Sequence, residues 1–324
     1  MSAIAFLIAV GLDIAKATFD AARLGADGKY QHKKFDNTPE GFARFAEWLA
    51  GFGTEAAHLC MEATGTYSIP LADFLAARGF HVSVVNPAKV AAFAKSELSR
   101  TKTDKADAKL IARFCLAMRP EAWTPPPADI RQLQALLRRL EHLQEMQRME
   151  QNREDTADPA VTGSIQAVLA TLDTETAAVR DQIRRHIDGN PGLKQRAELL
   201  ESIPGVGTAT AAWLLTLLSG HRGFGSAKQA AAFAGLAPRL RQSGQWAGQT
   251  RLSKTGDPLL RKALYMPMLS ALVHNPAIRA FCQRLKANGK PGKSYLCAAM
   301  RKIIHIAFAI LKSGKPFDPN YGLA

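Results

Sequence analysis

The first third of this chain alternates between strand-like and helix-like stretches, which limits the fold more than any other feature of the sequence. "IAFLIAVGLDIA" has the continuous apolar character of a buried strand. "ATFDAARLGADGKYQHKKFDNT" predicts two more strands joined at the turn Asp27-Gly28. "PEGFARFAEWLAGF" carries apolar residues at helical spacing, with Pro39 placed to open a helix after Thr38. Then come a strand ("EAAHLCMEAT"), a helix closed by Gly79 ("SIPLADFLAARG"), a strand halted at Pro87 ("HVSVVNP") and helices through "AKVAAFAKSELS" and "DKADAKLIARFCLAM". A three-strand meander followed by helix-strand alternation predicts a mixed-sheet α/β domain over residues 1–118.

"RPEAWTPPPAD" is a proline-rich break, so residues 119–127 are expected to be a linker. Beyond it Leu133, Leu136, Leu140 and Leu143 recur at 3-4-3 spacing, and Ile165, Val168, Leu172, Val179 and Ile183 continue a similar seam after a polar interruption. Residues 128–190 are therefore expected to form a helical hairpin, either a coiled coil that pairs subunits or a hairpin closed within one chain. Residues 191–324 are expected to be a mainly helical, basic domain interrupted by the polar run "RLRQSGQWAGQTRLSKTGDP".

Charge separates these regions. Residues 196–324 hold 18 Lys/Arg against 4 Asp/Glu, while residues 1–195 hold 24 of each, so the whole net charge of +14 lies in the C-terminal part. An excess so confined implies a polyanion there, most simply nucleic acid. The four cysteines, Cys60, Cys115, Cys282 and Cys297, are widely spaced and form no C-x-x-C pair, as expected of reduced thiols in a cytosolic protein. The apolar opening is too short to span a bilayer and runs into Asp13, and no later stretch reads as long and apolar enough to be transmembrane.

Two of the predicted strands end on acids: Asp13 in "AVGLDIAK" and Glu62 in "LCMEATG". Burying a lone carboxylate is costly, so each needs a reason. "RTKTDKADAKLIARF" adds Asp104 and Asp107, three residues apart on one helix face, among the cations Arg100, Lys102, Lys105 and Lys109. Singly, these acids suit a turn, an ion pair or the first turn of a helix. Together, four carboxylates from three elements are a donor set for two Mg²⁺ ions roughly 3.5–4 Å apart, an arrangement that stabilises attacking and leaving oxygens in phosphoryl transfer. "VGLDIAKATFDAA" also resembles the first phosphate loop of actin-like sugar kinases, but Ala15 and Lys16 stand where that loop has Gly and Thr.

In the basic segment, "SIPGVGTATAAWLL" has the glycine spacing of a helix-hairpin-helix loop, with Gly205 and Gly207 placed for backbone approach to a phosphate. Arg239, Arg241, Arg251, Lys254, Arg261 and Lys262 surround Ser243. A serine in a Ser-Gly turn is ordinarily only a turn residue. Flanked by arginines, its hydroxyl is also suited to attack a phosphodiester while the cations stabilise the developing charge.

Taken together, the sequence resembles the DEDD transposases of the insertion-sequence 110 family, which are related to the Piv DNA invertase. "VGLDIAK", "MEATG" and "KTDKADA" match that family's N-terminal domain, and "SIPGVGTATA", "AGLAPRLRQSG" and "RLSKTGDPLLRKAL" its C-terminal transposase domain. The resemblance implies a RuvC-like, ribonuclease-H-like fold for the first domain, with Asp13, Glu62, Asp104 and Asp107 as magnesium ligands. It implies that Ser243 forms a covalent phosphoserine link to the cut strand. It also implies a homo-oligomer, a dimer or tetramer, acting on donor and target DNA with a structured noncoding guide RNA, and no membrane. Lys102, Lys105, Gly205, Gly207, Arg239, Arg241, Arg251, Lys254, Arg261 and Lys262 are the expected nucleic-acid contacts. Two other classes stay open: a RuvC-like nuclease that uses metal-activated water, and a binding protein that cuts nothing.

Overall fold

The structure is a computed structural model that describes residues 8–25, 27–52, 57–63, 65–98, 103–219, 224–239, 242–243, 246–248 and 251–319. By internal contacts the chain divides into two compact units, residues 1–125 and 126–324.

The first unit is a five-stranded mixed sheet with helices on both faces. Strands β1 (Ile8–Ile14), β2 (Thr18–Leu24) and β3 (Tyr30–Asp36) form the expected antiparallel meander, followed by α1 (Pro39–Ala50). Strand β4 (Ala57–Glu62) pairs parallel to β1; α2 (Ile69–Ala77) leads to β5 (His81–Val85), parallel to β4, giving the order β3-β2-β1-β4-β5. Helices α3 (Pro87–Ser96) and α4 (Asp104–Met118) complete the unit.

The two-residue period of a strand sorts its side chains. Val10, Leu12, Phe19, Ala21, Phe35, Leu59, Met61 and Val82 face α1 and α2, where Phe42, Phe45, Leu49, Leu71 and Leu75 close one core. Ala9, Cys60 and Val85 face the other way, toward Val90 of α3 and Leu110, Ile111, Phe114 and Cys115 of α4. Gly11 lies on this second face, and a Cβ there would stand 2.1 Å from the Ala108 carbonyl oxygen and 2.3 Å from the Ala112 nitrogen. Helix α4 thus rests directly on the backbone of β1, a closeness that only glycine permits.

The proline-rich stretch expected as a linker folds against this unit in its first part. The Trp123 N–H donates to the Val82 carbonyl at 2.6 Å, and the Ser83 hydroxyl lies 2.9 Å from the Pro120 carbonyl oxygen and 2.7 Å from that of Glu121.

The second unit is mainly helical. Helices α5 (Ala128–Glu154) and α6 (Pro159–Asp188) form an antiparallel hairpin within the chain, its open end tied where His186 Nε2 lies 2.8 Å from the Asp129 carbonyl oxygen. The leucines buried on α5 are Leu133, Leu137, Leu140 and Leu143, beside Ile130 and Glu141, with Leu136 at the margin, whereas Val168 of α6 is 44% exposed. The seam drawn from sequence spacing was therefore displaced by one residue at Leu136 and extended too far at Val168.

Helices α7 (Pro191–Glu201), α8 (Thr208–Ser219), α9 (Ala227–Phe233), α10 (Pro258–His274), α11 (Pro276–Ala287) and α12 (Gly292–Ser313) share one core with the base of the hairpin. Against expectation, α12 is long and apolar enough by composition to cross a membrane. It buries Leu296, Ala299, Met300, Ile303, Ile304, Ala307 and Ile310 in that core. Between α9 and α10 runs a small ribbon of nested antiparallel pairs: β6 (Pro238–Arg239) with β9 (Arg251–Leu252), and β7 (Gln242–Ser243) with β8 (Trp246–Ala247).

Candidate active site

The candidate acids of the first unit come from the α4 face of the sheet and from α4 itself. Asp13 follows Gly11 by one strand period, so both point toward α4. Thr103 caps α4 by accepting from the Ala106 N–H at 3.2 Å, which starts the helix at Asp104 and puts Asp104 and Asp107 in its first turn. The contact of Gly11 with Ala108 then fixes that turn near the end of β1. Glu62 ends β4, one strand period after Cys60 and hence on the same face. The β1–β4 register runs to Leu12 opposite Met61, and its next step would set Asp13 level with Glu62.

The electrostatics agree with this gathering for Asp13, Asp104 and Asp107. Burial first, and then the charges of Asp107, Asp104 and Asp20, push the Asp13 carboxyl up from 3.8 to about 6, with Lys34 opposing. Among the described residues no three His, Cys, Asp or Glu side chains stand close enough together to hold a metal as they are. The donors are nonetheless carboxylate oxygens, the chemistry a hard divalent cation takes, and Asp13, Asp104 and Asp107 share a field that a cation would relieve.

Sequence reasoning missed three members of this face. Asp20 is 5% exposed and is the direct cross-strand partner of Asp13. Opposed like charges destabilise a strand pair. Asp20 is held from β3 by His32 Nε2 at 2.6 Å and Lys34 Nζ at 3.5 Å, and the same ammonium lies 3.8 Å from Asp104. The signal was present in "TFDAARL": Asp20 sits between the inward Phe19 and Ala21, the same anomaly that singled out Asp13.

In the second unit Ser243 is exposed in β7, opposite Trp246, at the inner pair of the ribbon. The base of the ribbon is anchored where the Ser253 N–H donates to Ala237 and the Lys254 N–H to Gly235. Arg239 and Arg251 are exposed and directly opposite each other, two cations side by side on one face. Other expected contacts are occupied internally. Lys262 lies 2.8 Å from Glu141 and 3.4 Å from Glu145, and Arg261 donates to the Ala234 carbonyl at 3.1 Å. A Cβ on Gly205, which has φ +94°, would stand 2.7 Å from Ala271, so this glycine is accounted for by the approach of α10. Gly207 has open space around it, Lys105 is exposed, and the Lys109 ammonium lies 5.1 Å from the Tyr30 ring centre. Arg100, Lys102 and Arg241 lie outside the described residues.

Comparison with known proteins follows the same division. A DEDD-type transposase family model of IS110 matches residues 10–156, and a model described as transposase, IS116/IS110/IS902 family, matches residues 197–283. A pilin gene-inverting protein of Moraxella bovis is 36% identical over 313 residues, covering 95% of this chain and 97% of that one. The chain belongs to the IS110-type transposase family. A further relative, an uncharacterized 43.6 kDa protein of insertion element IS110 from Streptomyces coelicolor, is 30% identical over 161 residues, 48% of this chain and 40% of that one. As an IS110-type transposase the chain is a DNA-rearranging enzyme, and its mixed sheet followed by a mainly helical region agrees with a ribonuclease-H-like member. The first match contains Asp13, Glu62, Asp104 and Asp107; the second contains Ser243, Arg239 and Arg251.

Proposed function

We propose that this transposase cuts and rejoins DNA through a covalent link between Ser243 and the cut strand, assisted by magnesium held at Asp13, Glu62, Asp104 and Asp107. The observation that carries the reading is the opposed pair Asp13 and Asp20 on the face where Asp104 and Asp107 also act on Asp13. Folding pays to assemble such a field, and a divalent cation is what repays it. Bound there, two magnesium ions would polarise the scissile phosphate and ease ionisation of the attacking hydroxyl.

The chain's own groups supply the rest. Ser243 Oγ forms a bond to phosphorus as the bond from phosphorus to one deoxyribose oxygen breaks. The serine proton leaves to solvent, and the released sugar oxygen takes one up. Arg239 and Arg251 lie against the phosphate and offset the charge that develops on it. Rejoining reverses these bonds with another strand's hydroxyl as the nucleophile, so no ATP is needed.

A homo-oligomer brings the acids and the serine of different copies together, and a structured RNA pairs with donor and target DNA. The support for a nucleic-acid partner is the confinement of the excess positive charge to residues 196–324, which suits DNA and RNA alike. Recovering the native protein with and without RNase treatment tests the RNA: recombination that survives complete RNA removal would exclude it.

The chemistry is tested by denaturing the protein after incubation with magnesium and labelled DNA. Wild type should retain DNA on the denatured chain. Ser243→Ala should lose both adduct and recombination, and Asp104→Asn should lose recombination. Recombination by Ser243→Ala would end the serine mechanism. Cleavage without an adduct would instead point to a nuclease using water, and salt-sensitive binding without cleavage to a binding protein.

A further inference from the structure

The cross-strand pair Asp13 and Asp20 is offset by two side chains of the edge strand that the proposed chemistry does not use, Lys34 and His32. Lys34 stands opposite Asp20 in the β2–β3 register, and its ammonium lies 3.5 Å from Asp20 and 3.8 Å from Asp104. His32, one strand period earlier, holds the other oxygen of Asp20 at 2.6 Å. Asp20 is almost wholly buried, whereas the Lys34 and Asp104 side chains are 52% and 68% exposed. The buried acid is therefore the fixed point, and the lysine is the movable arm.

We propose that Asp20 and Lys34 are positioning residues of the acid site: Asp20, fixed by His32, sets the Lys34 ammonium against Asp104 as a resident cation that a divalent ion displaces. This rests on the reading of the four acids as metal ligands. Lys34 bridges an acid of the sheet and an acid of α4, so it draws the first turn of the helix toward the sheet. A metal entering between Asp13 and the α4 acids meets a partner already paired, and must compete for Asp104.

Removing the ammonium and removing its anchor therefore act in opposite directions on metal affinity. A purely structural pair would not do this. The probe is Mn²⁺ alone, bound to the full-length chain without DNA and read by electron paramagnetic resonance and calorimetry. Lys34→Met should bind Mn²⁺ about 3- to 5-fold more tightly, the scale of one exposed ion pair. Lys34→Arg keeps the charge and should return affinity to within about twofold of wild type. Asp20→Asn removes a negative charge from the site and leaves Lys34 to Asp104 alone, so affinity should fall. Lys34→Gln repeats the first measurement should the methionine variant fail to fold. Unchanged or weaker Mn²⁺ binding by the uncharged Lys34 variants overturns the proposal, as does wild-type affinity in Asp20→Asn. Wild type that binds no Mn²⁺ removes the metal reading itself, an outcome distinct from wild type that binds while the Lys34 variants match it.

Discussion

Among the described residues two like-charged pairs, Asp13 with Asp20 and Arg239 with Arg251, stand directly across strands, and they are built differently. Asp13 and Asp20 face each other inside a five-stranded sheet roofed by α4; Arg239 and Arg251 face each other on an exposed ribbon of two-residue strands. The acid pair is held by packing on both faces of the sheet and has counter-cations within its own unit. The arginine pair stands exposed on a ribbon whose base is tied by backbone hydrogen bonds. The difference suits the roles proposed for them, because donors for a small ion must be fixed to fractions of an ångström and contacts for a long polyanion need not be.

The largest effect expected from this contrast is at the ribbon's serine. Ser243→Ala should reduce recombination by at least about 10³-fold, the scale of losing a nucleophile, while unfolding stays within about 0.5 kcal/mol of wild type. Strand-exchange assays and denaturant titration on the same preparation check both halves. A large stability loss would mean that the ribbon is part of a core.

Gly11 should behave the other way. A methyl group there meets the backbone of α4, so Gly11→Ala should cost about 2–4 kcal/mol in denaturant unfolding. Because α4 carries Asp104 and Asp107, activity should fall as well, even in protein that remains folded. Wild-type stability in this variant would show that α4 does not rest on β1 as described.

Cations that are alike in type within the basic segment should also separate. Lys262 neutralises Glu141, which is 8% exposed, so Lys262→Met should destabilise by about 1–3 kcal/mol through an unpaired buried acid. Arg239→Gln and Arg251→Gln should leave stability level or a few tenths of a kcal/mol higher, since each relieves a repulsion. Each should lower the salt dependence of DNA binding by about one unit of slope, which Lys262→Met should not do. Equal salt slopes across all three variants would dissolve the distinction.

Much of this was legible in the sequence where local pattern decides. The meander, the turn at Asp27-Gly28 and the helix opened by Pro39 after Thr38 follow from turn and cap chemistry within a few residues. Asp13 stood out because an acid interrupted an apolar run. Asp20 was passed over although it stands between inward apolar residues, because only the register shows it opposite Asp13. Lys34 could not be placed without that register, since a step of one residue turns a strand's side chains to the other face. The substitution of Leu137 for Leu136 on α5 has the same origin: apolar spacing gives a stripe, and packing against α6 and α8 selects its centre. Lys262 and Gly205 looked like phosphate contacts because charge and glycine spacing are visible in sequence, while the partners Glu141 and Ala271 are 121 and 66 positions away.

The smallest effect concerns pH, and it sets two groups on the same face of the sheet against each other. Asp13 is raised from 3.8 to about 6, so the folded chain holds its proton more tightly than the unfolded chain does. The resulting stabilisation is complete below pH 3.8 and is lost as pH rises to about 6. His58, buried against His81 with its Nε2 2.8 Å from the Ser83 hydroxyl, is lowered from 6.5 to about 4, by burial first and then by His81. The unfolded chain therefore takes up that proton first, and the stability His58 gives is full above pH 6.5 and lost as pH falls toward 4. Between pH 4 and 6 the two slopes oppose. In metal-free buffer Asp13→Asn should expose the His58 slope, with stability rising through that window. It should also be more stable than wild type at pH 7 by about 1 kcal/mol, after allowing for solvent screening of a partly exposed group. His58→Gln should expose the Asp13 slope, with stability falling as pH rises through the same window. Thermal unfolding at half-unit steps separates the two. Curves that stay parallel to wild type in both variants would mean that neither group carries the linkage, and the charge gathered beside Asp13 would then need another outlet.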